Sequence, residues 1–289
     1  MDTSNWGKNI ILGENITIGK NVRIGHNCII EDNVVIGDDT FIDSGTTIRS
    51  FTSIGAQSNI GSNCIIGEYL MDFYMDHEKH KHELIIGEKA LIRSGSVIYA
   101  GSTIGDNFQT GHHVTIREKA EIGNDVSVGT LCDIEGSCKI GNYVRMQCNV
   151  LIGQLSVIDD FVWLFPNVIL TNDPTPPSKH FVGVHVHSFA TVAAGAIIMP
   201  GMDLEHDCLI GAGAVVTKPV EPYAVAVGSP ARVISDVRNV RNKVTGELVY
   251  PWREHFDRYM PWDGMGFDAW YASLDLEERS KYTLADIVG

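Results

Sequence analysis

Apolar residues recur along this chain with a spacing of six. Leu12, Ile18, Ile24, Ile30, Ile36, Ile42, Ile48, Ile54, Ile60 and Ile66 follow one another without a miss. The series resumes at Ile86, runs to Leu170, and resumes again from Val186 to Val216. Four residues after the repeating aliphatic comes a small side chain, as at Cys28, Thr40, Ser58, Cys64, Ala90, Cys132, Cys138 and Cys208. A glycine often follows the aliphatic directly (Gly13, Gly19, Gly25), where a turn with positive φ is expected. A period of six is too short for a helical repeat and suits short strands, each with one inward residue and a tight turn. Self-similarity at a fixed period predicts a solenoid whose units bury their apolar faces on their neighbours. Three strands per coil make a triangular prism of about ten coils, with roughly 18 residues in each.

Two stretches break the period, at 68–85 (which contains EYLMDFYMDHEKHKHEL) and at 171–185 (TNDPTPPSKHFVGVH). Neither gap is a multiple of six, so the chain must leave the prism and re-enter in a new register. Long excursions from a rigid scaffold are usual carriers of binding residues. The repeat therefore reads as one domain over 1–217. Residues 218–289 read as a C-terminal extension: a turn, a hairpin at VTGELVY and one or two short helices. This aromatic-rich tail is expected to cap the solenoid or to join an interface.

Five of the six cysteines occupy the small position four after the aliphatic, and no CxxC pair occurs. They read as core residues, which argues against thiol catalysis, disulfides and a local zinc ribbon. A net charge of −14 argues against nucleic-acid binding. No apolar run reaches the roughly 20 residues of a membrane span, and MDTSNWGKN is no signal peptide, so a cytoplasmic protein is expected.

The repeat resembles the left-handed parallel β-helix of the hexapeptide-repeat acyltransferases, over roughly residues 10–232. The segment VVTKPVEPYAVAVGSPARVI (215–234) resembles the end of that repeat, where a Lys, a Pro-rich turn and a G-x-P-A-[RK] element border the coenzyme A site. VWLFPNVILTNDPTPPS (162–178) and TGHHVTIREKAEIGNDVSVGT (110–130) look like nucleotide-sugar N-acetyltransferases acting on 3-amino sugars. The resemblance implies an all-β left-handed helix, acetyl-CoA as co-substrate, a nucleotide-linked deoxyamino sugar as acceptor, and a homotrimer. It implies no metal. It marks Ala193, Gly195, Gly211, Ala212, Lys218 and Arg232 as candidates for holding coenzyme A.

The period stumbles once inside the long run, at DNFQTGHHVTIREK (106–119), where Thr110 replaces the aliphatic and Phe108 the small residue. Two histidines follow, and a histidine is the usual proton acceptor near neutral pH. Stacking every 18 residues puts His113 in line with Leu131, Asn149 and Asn167. Arg117 then lies beside Glu135, and Glu118 on a line leading to Asn172 and Asp173. His113, His112 and Asn167 are the catalytic candidates. Glu118, Arg117, Glu135, Asn149, Asn172, Asp173, Lys179 and His180 are the acceptor candidates, with Lys79, Lys81, Lys179 and His180 suited to phosphates. Trp163 and Phe165 suit either a stacked base or a subunit contact. The spacing of His77, His80 and His82 is not a standard zinc set. A metal-dependent β-helix of the γ-carbonic-anhydrase kind, which would draw its histidine ligands from adjacent subunits, is the second alternative. A noncatalytic trimeric scaffold is the third alternative.

Overall fold

The computed structural model describes residues 6–79 and 81–282. Three sheets of 11, 10 and 12 strands form the three faces of a prism, here called A, B and C. Each strand pairs in parallel with the strand one coil on, as Leu12 with Ile30 and Ile30 with Ile48. The result is the expected parallel β-helix, with ten full coils and a partial one. From Ile24 onward the repeating aliphatics are buried and, with the small residues between them, make one continuous core, while Leu12 at the open first coil is exposed. Cys28, Cys64, Cys132, Cys138 and Cys208 are buried in it, and burial pushes the thiols of Cys132 and Cys138 up to about 11. Cys148 alone among the six is exposed.

The corner geometry differs from the expectation in one respect. Positive φ falls three residues after each aliphatic, at Asn15, Asn21, Asn27, Asn33 and their successors, with φ of 53 to 57° in these four. Asparagine tolerates this conformation better than most residues. The glycines directly after the aliphatics have a different reason. A Cβ on Gly123 would lie 2.7 Å from the Asn142 side chain and 2.8 Å from the Gly141 carbonyl carbon on the next coil. Gly67, where the first excursion leaves the prism, has φ 91°, and the others are spacers for coil-to-coil approach without positive φ.

The first excursion leaves after the strand Ile65–Glu68, forms the short helix α1 (Met71–Met75), and returns at Leu84–Ile86. The second returns at His185–Val186. At the C-terminal end Ala224–Val227 extends face C, and Arg232–Asp236 pairs with it antiparallel, covering that sheet edge. Val220, Ala224 and Ala226 still belong to the prism core.

The aromatic tail lies along the flank of the prism and not over its end. Tyr143, Phe161 and Phe189 stack along the edge between faces B and C at centroid spacings of 5.2 and 5.1 Å. Onto this ladder pack Trp252, Met260 and Trp262, with Phe267 and Trp270 of α2 (Phe267–Ser273) and Tyr282 of α3 (Leu276–Tyr282). Trp163 is absorbed here, against Trp252 at 5.9 Å and Phe256 at 5.6 Å, so it is committed to its own chain's tail. Buried Arg253 pairs with Asp207 beneath the cluster. Among the described residues, no helix is long and apolar enough to cross a membrane.

The two corner roles separate experimentally. Gly123→Ala should cost about 1–3 kcal/mol in urea unfolding, because the neighbouring coil cannot give way. Asn107→Gly, at a positive-φ corner with φ 56°, should stay within about 1 kcal/mol of wild type. The opposite order would contradict the assignment.

Candidate functional site

The irregular coil is a packing exchange. Phe108 is fully buried and fills the interior from a position that elsewhere holds a small residue. Thr110, correspondingly small, turns inward, and its Oγ1 accepts a hydrogen bond from the Arg93 backbone N–H at 2.9 Å. The stumble therefore needs no functional explanation of its own.

The site residues fall on two edges of the prism. On the edge between faces C and A, His113 occupies a positive-φ corner (φ 54°), followed one coil at a time by Leu131, Asn149 and Asn167. Its ring lies over Gly95, where a Cβ would strike it. Among the described residues that ring has no hydrogen-bond partner, so it is free to meet a substrate. His112 is exposed beside it and is held through its backbone N–H to Thr130 Oγ1 at 3.2 Å. Asn149 Nδ2 donates to Asn167 Oδ1 at 2.7 Å. Three coils separate His113 from Asn167, on the order of 14 Å, so they do not touch.

The same edge continues into the coenzyme A candidates. Gly195 and Gly213 take the next two corners, with φ of 71° and 67° and open space where a Cβ would be. Ala193 and Ala212 flank them. Gly211 is a packing glycine, since a Cβ there would press on the Val227 side chain. The turn before Arg232 closes this edge: Val215 N–H donates to Gly228 O at 3.0 Å and Ala231 N–H to Val215 O at 2.8 Å. Arg232 is exposed there. Lys218 stands apart on the neighbouring edge.

That neighbouring edge, between faces A and B, holds the carboxylates. Arg117 donates to both oxygens of Glu118, at 3.2 and 3.0 Å. Glu135 Oε2 accepts from Asn172 Nδ2 at 2.9 Å and from the Gln154 backbone N–H at 2.8 Å. These residues, with Gly136 and Phe181, line a hollow of about 240 Å³. Asp173 is turned away into its own loop, accepting from Ser178 and from the Thr175 N–H. Burial opposes its ionisation, but those bonds hold its carboxyl below the usual range. Lys179 and His180 are exposed on the same loop. In the first excursion His82 pairs with Asp72 at 2.8 Å and His77 stacks on Phe73, while His80 lies outside the described residues.

Face A lies between the two edges, and the four residues from His113 to Arg117 span on the order of 13 Å. A single chain thus keeps the histidines apart from the Glu118–Glu135 hollow. The sequence reading missed Asp133, on face A between them. Its Oδ1 is buried with no partner among the described residues. Burial first, and the charge of Glu135 second, push its carboxyl up. The signal was an acid at an outward position in a row otherwise filled with Val, Leu, Ile and Thr.

The exchange of Phe108 and Thr110 generates a direct test. Thr110→Ile, which restores the repeat, should destabilise by about 1–3 kcal/mol through overpacking against Phe108. Adding Phe108→Val should recover most of that loss in thermal unfolding. Additive losses would contradict the exchange.

Comparison with known proteins fits the repeat. The family described as bacterial transferase hexapeptide (six repeats) matches residues 9–42 and 33–68, and the hexapeptide repeat of succinyl-transferase matches 194–218. The serine acetyltransferase of Salmonella typhimurium is 32% identical over 114 residues, 38% of this chain and 41% of that protein. The bifunctional protein GlmU of a Synechococcus species is 29% identical over 172 residues, 54% of this chain and 37% of that protein. The chain thus spans less than half the length of these curated relatives. The crystal structure of UDP-N-acetylglucosamine O-acyltransferase from Moraxella catarrhalis superposes with a TM-score of 0.50 at 21% identity, over 82% of this chain and 78% of that one, a likeness of fold. The matched repeats at 9–68 and 194–218 are those of the hexapeptide-repeat transferases, and the parallel β-helix is consistent with a hexapeptide-repeat acyltransferase.

Proposed function

We propose that the chain is an acetyl-CoA-dependent N-acetyltransferase acting on the amino group of a nucleotide-linked deoxyamino sugar of the 3-amino-3,6-dideoxyhexose type, in the cytoplasm, as a homotrimer. The observation that carries this reading is the arrangement around face A. One flank carries a histidine and asparagine row that runs into open glycine corners, and the other carries a carboxylate-lined hollow. The matched relatives include enzymes named as acetyltransferases, which supports acetyl-CoA as the donor. The nucleotide-linked amino sugar rests on the resemblance of residues 110–130 and 162–178.

The outward row of face A supports the trimer. It reads Ile29, Thr47, Ile65, Val97, Thr115, Asp133, Leu151, Ile169, Ile197 and Val215. The tail covers part of face C, and face B carries the charged pair Lys139 and Glu121. A largely apolar row, broken by Asp133, is the kind of surface that association buries. Three prisms that turn face A toward a common axis bring the C–A edge of one chain beside the A–B edge of the next. His113 and the glycine corners then meet Glu118, Glu135, Asn172 and Lys218 across a subunit boundary. The two half-sites kept apart in one chain become one.

In that site the pantetheine arm runs along Gly195 and Gly213, where the missing side chains permit close approach. Glu118 and Glu135 accept hydrogen bonds from the sugar. The unprotonated amine nitrogen attacks the thioester carbonyl carbon. The oxyanion that forms is met by N–H donors of the edge, such as Asn167 Nδ2. Collapse breaks the C–S bond and expels the coenzyme A thiolate, which takes up a proton. The proton lost by the attacking amine passes to His113 or to water.

Purified protein should release free thiol from acetyl-CoA only when a nucleotide-linked amino sugar is present. Absence of turnover across dTDP-, UDP- and GDP-linked amino sugars would overturn the proposal and favour a noncatalytic scaffold. His113→Ala should lower kcat by about 100-fold if its imidazole takes the proton. A fall of less than tenfold would assign it to binding alone. Co-expression of His113→Ala and Glu135→Gln chains should restore about a quarter of all sites, one in each mixed trimer. No recovery would place the whole site within one chain.

A further inference from the structure

We propose that Asp159, His185 and His187 form a binding site for one divalent cation of the zinc type, on face B and away from both edges of the acyl-transfer site. His185 and His187 alternate about the inward Val186, so both side chains project to the same outer side. The second excursion sets their register: the chain re-enters with His185 paired to Val157, which stacks His187 over Asp159. On the following coil Asp203 pairs with His185, and Glu205 follows beside His187. Ligands from three successive coils are thereby gathered into two columns.

The geometry is close to that of a bound ion. His185 Nε2 lies 3.1 Å from Asp159, and His187 Nδ1 lies 3.4 Å from Asp159 Oδ2. The two rings are stacked at 3.8 Å. One ligand atom from each of the three residues fits within a span of 4.8 Å. Zinc bonds to imidazole nitrogen and carboxylate oxygen of about 2.0–2.1 Å place ligand atoms roughly 3.3 Å apart in a tetrahedron. Asp203 Oδ1 stands 3.8 Å from His187 Nε2 and Glu205 Oε1 stands 3.9 Å from the same atom. Either can supply a further ligand or hold a ring by its second nitrogen, as the partners of metal-bound histidines usually do. Three carboxylates around two imidazoles leave an excess of negative charge that a divalent cation offsets. Two imidazoles with carboxylates suit zinc, cobalt or nickel better than magnesium or calcium. All three side chains are about one-third exposed, so an ion can enter. A bound ion would tie the re-entering coil to the coils before and after it, a structural role independent of acyl transfer.

Metal-free, untagged full-length protein should be titrated with cobalt(II) and followed by visible absorption. The expected result is saturation at one cobalt per chain, displacement by zinc, and a higher thermal midpoint with either ion. His187→Gln and Asp159→Asn, checked for folding by circular dichroism, should weaken binding roughly tenfold or more. A His77→Gln/His82→Gln variant should bind as wild type does. Absence of saturable binding by wild type, or binding lost with the His77 and His82 pair but retained without Asp159, would overturn the proposal. Acetyltransferase turnover does not enter this readout, so the two proposals stand or fall separately.

Discussion

Adjacent coils in this fold stand one strand spacing apart, about 4.8 Å, and within the prism each residue is stacked on another one coil away. The structure follows from that spacing. At many of the positions directly after an inward aliphatic it leaves no room for a Cβ, as where Gly123 meets the backbone of Gly141. It confines positive φ to the corners, where asparagines form hydrogen-bonded ladders such as Asn9 to Asn27 and Asn149 to Asn167. It couples the volumes of inward residues, and the large Phe108 is buried in the same coil as the small Thr110. It also turns distance along the chain into position: any two residues in the same column are neighbours or a fixed number of coils apart.

For that reason the fold was largely legible from the spacing of Leu12, Ile18 and their successors. The inward column, the three faces, the two excursions and the buried cysteines all follow from counting. The reason for the glycines was not legible, because counting locates a corner without telling which of its residues bends and which is crowded. The tail was legible only as a cap or an interface element. Its packing on Phe161 and Phe189 depends on which corner aromatics line up, and these become a ladder only once the register across the second excursion is known.

The candidate site was legible as columns but not as a constellation. His113, Asn149 and Asn167 do share one edge, and Glu118, Glu135 and Asn172 share the next. The repeat cannot bring these edges together, because face A intervenes. In the proposed trimer, a neighbouring chain seated on the largely apolar row of face A would supply the opposite edge. Asp133 passed unnoticed because a single acid among outward residues carries little weight in a sequence. The His185, His187 and Asp159 group escaped for a different reason. Its register crosses an excursion, so the ligands lie 26 and 28 positions apart and match no local metal motif.

The central claim is that the reaction site is shared between two copies across face A. The exposed Cys148 on one edge and a cysteine introduced by Gln154→Cys on the other allow a direct measurement. Treatment of the dilute protein with a short thiol cross-linker, read on a denaturing gel, should give covalent dimers and trimers, and Leu151→Glu on face A should abolish them. Cross-linking confined to monomers in the protein with an intact face A would contradict the shared site.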